Sequence, residues 1–99
     1  MKKLSEFKGE EATTLIGTTL LAVCNILKNK KNMKEYQSSG AMGLIGAALC
    51  NTPNEIIKLL AMMNEKTVEE YEVDGAVLIR DAYAMFEDPE LLQLFGMQS

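Results

Sequence analysis

Between Glu10 and Asn29 apolar residues fall at Ala12, Leu15, Ile16, Leu20, Val23, Ile26 and Leu27. Steps of three and four draw one stripe along a helix, and a strand would need alternation instead. Glu10 and Glu11 open the segment and Lys28, Lys30 and Lys31 close it, as the helix dipole favours. No stretch elsewhere alternates with period two, and the β-branched residues stand singly or in pairs. The expectation is an all-α fold, a compact bundle of five or six short helices with no sheet.

Local chemistry marks where the other helices begin. In Thr52-Pro-Asn-Glu55 a threonine N-cap precedes proline at the first helical position, and the glutamate can close a capping box. The helix from Pro53 to about Asn64 would present Ile56, Ile57, Leu59, Leu60 and Met63. Thr67-Val-Glu-Glu70 repeats the box, and Asp74 can cap a helix to about Glu87 with Val77, Leu78, Ala82, Tyr83 and Phe86 inward. Asp88-Pro-Glu-Leu-Leu-Gln-Leu-Phe-Gly96 carries a cap, a proline, apolar residues and a glycine stop. At 99 residues the chain has room for one domain, expected over residues 1–99.

The segment Ser39-Gly-Ala-Met-Gly-Leu-Ile-Gly-Ala-Ala-Leu-Cys50 spaces glycines three apart. A Walker loop needs four residues between its glycines and then Lys-Ser or Lys-Thr, and a dinucleotide loop needs Gly-x-Gly after a strand. Neither pattern is present. What remains is a helix capped by Ser38 or Ser39, with Gly40, Gly43 and Ala47 on one smooth face suited to close packing inside the domain or to a partner helix. The polar Asn29-Lys-Lys-Asn32 before it reads as a hinge leading into a short amphipathic turn around Met33–Tyr36.

Fourteen acidic residues against ten basic ones give a net charge of −4, which opposes binding to phosphate backbones. The cluster Lys28, Lys30, Lys31 and Lys34 therefore reads as a solvated helix end, and nucleic acid is not an expected partner. The carboxylates Glu65, Glu69, Glu70, Glu72 and Asp74 lack calcium-loop spacing and read as a solvated face. There is no histidine, no paired nucleophile and base, and no metal-ligand cluster, so neither an enzyme nor a cofactor is expected. Cys24 and Cys50, far apart and without a CxxC, read as small buried hydrophobes in a reducing compartment. The start is basic and then acidic, which reads as untargeted and cytoplasmic. The uncharged runs Ala12–Leu27 and Gln37–Asn54, joined by the lysines, admit a membrane-active hairpin of the lysis-protein type as an alternative. Both runs contain polar residues and fall short of about 20 apolar residues.

Seven methionines are unusual in a chain of this size. Thioethers suit irregular cores and adaptable binding surfaces alike, and Met62 and Met63, being adjacent, cannot both face one core.

Three stretches carry a resemblance. Lys3-Leu-Ser-Glu-Phe-Lys-Gly-Glu-Glu-Ala12, Asn54-Glu-Ile-Ile-Lys-Leu-Leu60 and Asp88-Pro-Glu-Leu-Leu-Gln-Leu-Phe95, with a long helix after the first, resemble the small all-helical tail assembly chaperones of long-tailed phages and prophages of Gram-positive bacteria. The Gly/Ala run 40–48 replaces the lysine-rich middle expected of such proteins. The resemblance implies a cytoplasmic, non-virion helper that covers the hydrophobic tape-measure protein until tail-tube subunits polymerise around it, sometimes with a longer frameshifted form. It transfers no site residue. Partner-binding strips expected from the residues themselves are Gly40, Gly43 and Ala47, then Met62 and Met63, then Leu91, Leu92, Leu94 and Phe95, engaging a tail protein or further copies of the chain.

Overall fold

The computed structural model describes residues 1–96. A single 3-10 turn (Leu4–Glu6) precedes α1 (Gly9–Leu27), α2 (Lys30–Asn51), α3 (Pro53–Met63), α4 (Gly75–Phe86) and α5 (Pro89–Leu94), and no strand occurs among the described residues. The fold is all-α. Helix α3 lies against α1 and α2, α4 pairs with α5, and the 3-10 turn touches both α1 and α5. Leu15 and Ile26 of α1, Leu44 of α2, Ile56, Leu59, Leu60 and Met63 of α3, Met85 of α4 and Leu91 of α5 are fully buried in one cluster. Each such burial stabilises by about 1.5–3 kcal/mol. The short α3 contributes several of them and is the centre of the packing.

Two of the helix starts expected from sequence, those of α4 and α5, form from their own side chains. Asp74 Oδ1 accepts from the Val77 amide at 2.9 Å and Asp88 Oδ1 from the Leu91 amide at 3.3 Å. Gly96 follows α5 at φ +77°, a conformation that glycine reaches without strain. The Thr67–Glu70 box closes in both directions, at 3.0 and 3.2 Å, yet only turns follow it. Tyr71 is drawn into the core immediately afterwards and Asp74 already begins the next helix.

The Thr52 box does not form. The Thr52 hydroxyl donates to the Ala48 carbonyl at 3.1 Å and accepts from Asn32 Nδ2 at 3.0 Å, while Glu55 meets Lys58 at 3.7 Å. Proline still occupies the first turn of α3. The tertiary partner Asn32, invisible to a local motif, has taken the hydroxyl.

The glycine segment differs most from its expected form. Gly40 sits at φ +69°, ψ −152° and breaks α2 into two halves, so it shares no helical face with Gly43 and Ala47. Ser38 and Ser39 complete the first half and do not cap the second. Gly43 lies where the halves cross: a Cβ there would be 2.5 Å from the Glu35 carbonyl oxygen and 2.6 Å from Ser39 Cβ. Ala47 is buried. The bare surface is consumed by the chain's own corner. The preceding Asn29-Lys-Lys-Asn32 is a built junction and no loose hinge: the Asn29 side chain accepts from the Asn32 amide at 3.1 Å, capping α2. Buried Asn32 in turn donates to the Ile26 carbonyl at 2.9 Å and accepts from Asn51 Nδ2 at 3.3 Å. Lys30 and Lys31 consequently open α2, at the end of the dipole that disfavours them.

The apolar stripe of α1 turns inward as expected at Ala12, Leu15, Ile16, Val23, Ile26 and Leu27 and departs only at Leu20. Leu20 and Leu21 are 49% and 71% exposed, whereas Thr19 is fully buried with its hydroxyl donating to the Leu15 carbonyl at 2.7 Å. That bond satisfies the hydroxyl, so threonine enters the core without an unpaired polar atom. Cys24 and Cys50 are both exposed, contrary to their reading as buried hydrophobes. Each lies on a helix face that the rest of the chain leaves uncovered.

Candidate apolar groove between α2 and α4

Helix α4 has two apolar sides. Met85 and the carboxylate Asp81 face the core, while Ile79, Ala82, Tyr83 and Phe86, at spacings of i, i+3, i+4 and i+7, form the other side. With Met42 and Ile45 from the second half of α2 these four line a surface groove of about 230 Å³. Ile79, Tyr83 and Met42 are 61%, 55% and 62% exposed. Tyr83, expected inward, therefore faces outward.

Asp81 sets that orientation. Its carboxylate is 1% exposed and accepts from the Tyr71 hydroxyl at 2.6 Å, Asn64 Nδ2 at 3.1 Å and Arg80 Nε at 3.1 Å. Burial pushes the Asp81 carboxyl upward, but the hydrogen bonds from Tyr71, Arg80 and Asn64 outweigh it and leave the group below its ordinary value. Burial first, then the Asp81 carboxylate it bonds, raise the Tyr71 phenol well above its usual range. A charged residue in a helix reads as outward-facing from sequence; here three donors satisfy it and the apolar residues opposite are turned to the surface. Every buried side-chain nitrogen and oxygen among the described residues has a partner.

A second recess, of about 510 Å³, lies where α1 begins, with Phe7, Leu15 and Met62 at its base. Glu10, Glu11, Glu65 and Glu70 ring it. The Thr67 amide and hydroxyl hold the Glu70 carboxyl below its usual value. Met62, in this recess, is the half-exposed methionine of the Met62/Met63 pair; Met63 is fully buried.

The partner strips expected from sequence are mostly spent on the core. Ala47, Met63, Leu91 and Phe95 are buried, and Leu92 and Leu94 are half-buried against the same cluster. Gly40 is exposed at the corner and Gly43 is covered by Glu35. Helix α5 docks on its own chain: Asp88, fully buried, accepts through Oδ2 from the Leu4 amide at 2.8 Å while its other oxygen caps α5. Met42, Ile45 and Ile79 lie outside the stripes expected from sequence. The i, i+3, i+4, i+7 run 79, 82, 83, 86 was nonetheless present, competing with an overlapping one that began at Val77.

Compared with family models, with curated proteins and with solved structures, the chain gives no match.

Proposed function

We propose that this chain is a non-enzymatic tail assembly chaperone, binding apolar helical segments of a tape-measure protein and keeping them soluble during tail morphogenesis. The observation that carries the reading is the groove of Met42, Ile45, Ile79, Ala82, Tyr83 and Phe86, an open apolar trough on a protein with a net charge of −4. A trough of this kind takes the apolar face of a helix, while like charge on the remaining surface keeps the complex dispersed. The wording of the two ends, Lys3–Ala12 and Asp88–Phe95, gives the partner its class. In this reading the protein acts in the host cytoplasm and is absent from the finished virion. Among the described residues no helix is long and apolar enough to cross a membrane.

Co-expression with a long, apolar, helical tape-measure protein tests the proposal. The partner should stay in the supernatant with the wild-type chain and move to the pellet with Ile79→Lys/Tyr83→Lys, whose side chains are exposed enough for the fold to survive. A partner that precipitates with the wild type, or stays soluble with the variant, would overturn it.

A further inference from the structure

Between Glu11 and Lys28 helix α1 carries no charge at all, on any face. On its outward side Glu10, Thr14, Gly17, Leu21, Cys24 and Lys28 are all exposed, and they follow one another at intervals of four, three, four, three and four. That is the 3.5-residue repeat of a coiled-coil seam, set on the side of α1 away from Leu15, Thr19, Ala22 and Ile26. A helix face that meets only water is ordinarily charged or polar. This one has Leu21, 71% exposed, beside a glycine whose added Cβ would meet nothing within 4 Å.

The seam is also its own complement when reversed. Turning it end for end places Glu10 on Lys28, Thr14 on Cys24 and Gly17 on Leu21. We infer that this face of α1 docks on the same face of a second copy of the chain, the two helices antiparallel about a twofold axis. Opposite charges meet at both ends, and each Leu21 fills the open ground over the other copy's Gly17. The two helix dipoles oppose one another, and nothing charged is taken out of water in the middle of the seam. A twofold contact needs a patch that complements itself, and this order of residues meets that condition. In a parallel arrangement Glu10 would face Glu10 and Lys28 would face Lys28, so the charges choose the antiparallel one. The dimer holds independently of the chaperone reading and uses none of the residues that line the α2–α4 groove.

The test uses the purified full chain alone, by sedimentation equilibrium. Wild type should have twice the 11.0 kDa chain mass, and Leu21→Glu should have the single mass with unchanged helical circular dichroism. Glu10→Lys should weaken the dimer, and adding Lys28→Glu should restore it. Disulfide trapping then fixes the direction. In a Cys50→Ser background Cys24 lies about 15 Å along the axis from its symmetry mate and should not bridge to it. Adding Thr14→Cys should give a covalent dimer through Cys24. A wild type monomeric at all concentrations, a dimer indifferent to Leu21→Glu, or Cys24 bridging to its own mate would each overturn the inference. So would a monomer whose Leu21→Glu change abolishes partner solubilisation, since that result assigns the seam to a different protein.

Discussion

Gly43→Ala and Gly46→Ala are the same chemical change three residues apart in one helix, and the structure gives them opposite signs. In an isolated helix each would gain about 1 kcal/mol from the higher propensity of alanine. At Gly46 a new Cβ meets nothing within 4 Å, so the gain is kept. At Gly43 it would lie 2.5 Å from the Glu35 carbonyl oxygen and 2.6 Å from Ser39 Cβ, about 1 Å inside ordinary contact. Neither neighbour is the free end of a flexible side chain; relief requires the two halves of α2 to move apart at the Gly40 corner. Overpacking by one methyl costs about 1–3 kcal/mol, and rigid neighbours favour the upper end. Set against the propensity gain, Gly43→Ala should lose about 2 kcal/mol net, a large part of the ~5–15 kcal/mol a domain of this size has. At about 4–8 °C per kcal/mol, its melting midpoint should fall by about 8–16 °C and that of Gly46→Ala should rise by about 4–8 °C. Urea and thermal unfolding followed by circular dichroism measure both, with an unchanged urea slope showing that the same surface is exposed. Midpoints that move in the same direction would refute the crossing at Gly43.

Three further outcomes follow from buried polar groups. Asn32→Ala removes the bonds to Ile26, Thr52 and Asn51 and leaves the Ile26 carbonyl without that partner, so urea unfolding should show a loss of about 1–3 kcal/mol; a change under about 0.5 would mean the junction is not held there. Asp88→Ala takes away both the α5 cap and the acceptor of the Leu4 amide, and should cost about 2–3 kcal/mol and speed amide exchange at Leu4 and Leu91 together; exchange rising at only one site would separate the two roles. The Asp81–Tyr71 pair gives a pH dependence at both ends of the scale. Asp81, lowered from 3.8 in the fold, contributes stability above that pH that is lost as acid protonates it, whereas Tyr71, raised from 10.0, contributes below that pH and loses it as the solution becomes alkaline. Stability against pH should therefore be flatter on the acid side in Asp81→Asn and flatter on the alkaline side in Tyr71→Phe, and an unchanged profile in either variant would show that its group does not titrate as described.

Much of the secondary structure was legible because its causes are local. Asp74 and Asp88 reach amides three residues on, Thr67 and Glu70 bond each other, and proline fixes the first turn of α3 and α5. These interactions need only the chain's own neighbours. Thr52 shows the limit: its residues spell the same box, but a buried asparagine twenty positions earlier takes its hydroxyl. The candidate site was only half legible. Ala82 and Phe86 pack against the core as their stripe suggests while also lining the groove, but Tyr83 is exposed, and nothing near Asp81 in sequence announces the Tyr71 and Asn64 donors that let a carboxylate take the inward place.

The residues alone specify an all-helical chain and the places where most of its helices begin. Tertiary packing set where the buried faces depart from the apolar stripes. It buried Thr19, Asn32, Asp81 and Asp88 and left Leu20, Leu21, Ile79 and Cys24 outside, and it turned the glycine run into a corner at Gly40 with a tight crossing at Gly43. The physical reason is one of range. Helix caps and turns are settled within a few residues, whereas the cost of burying a polar group depends on donors and acceptors brought from up to 84 positions away, as the Leu4–Asp88 bond is.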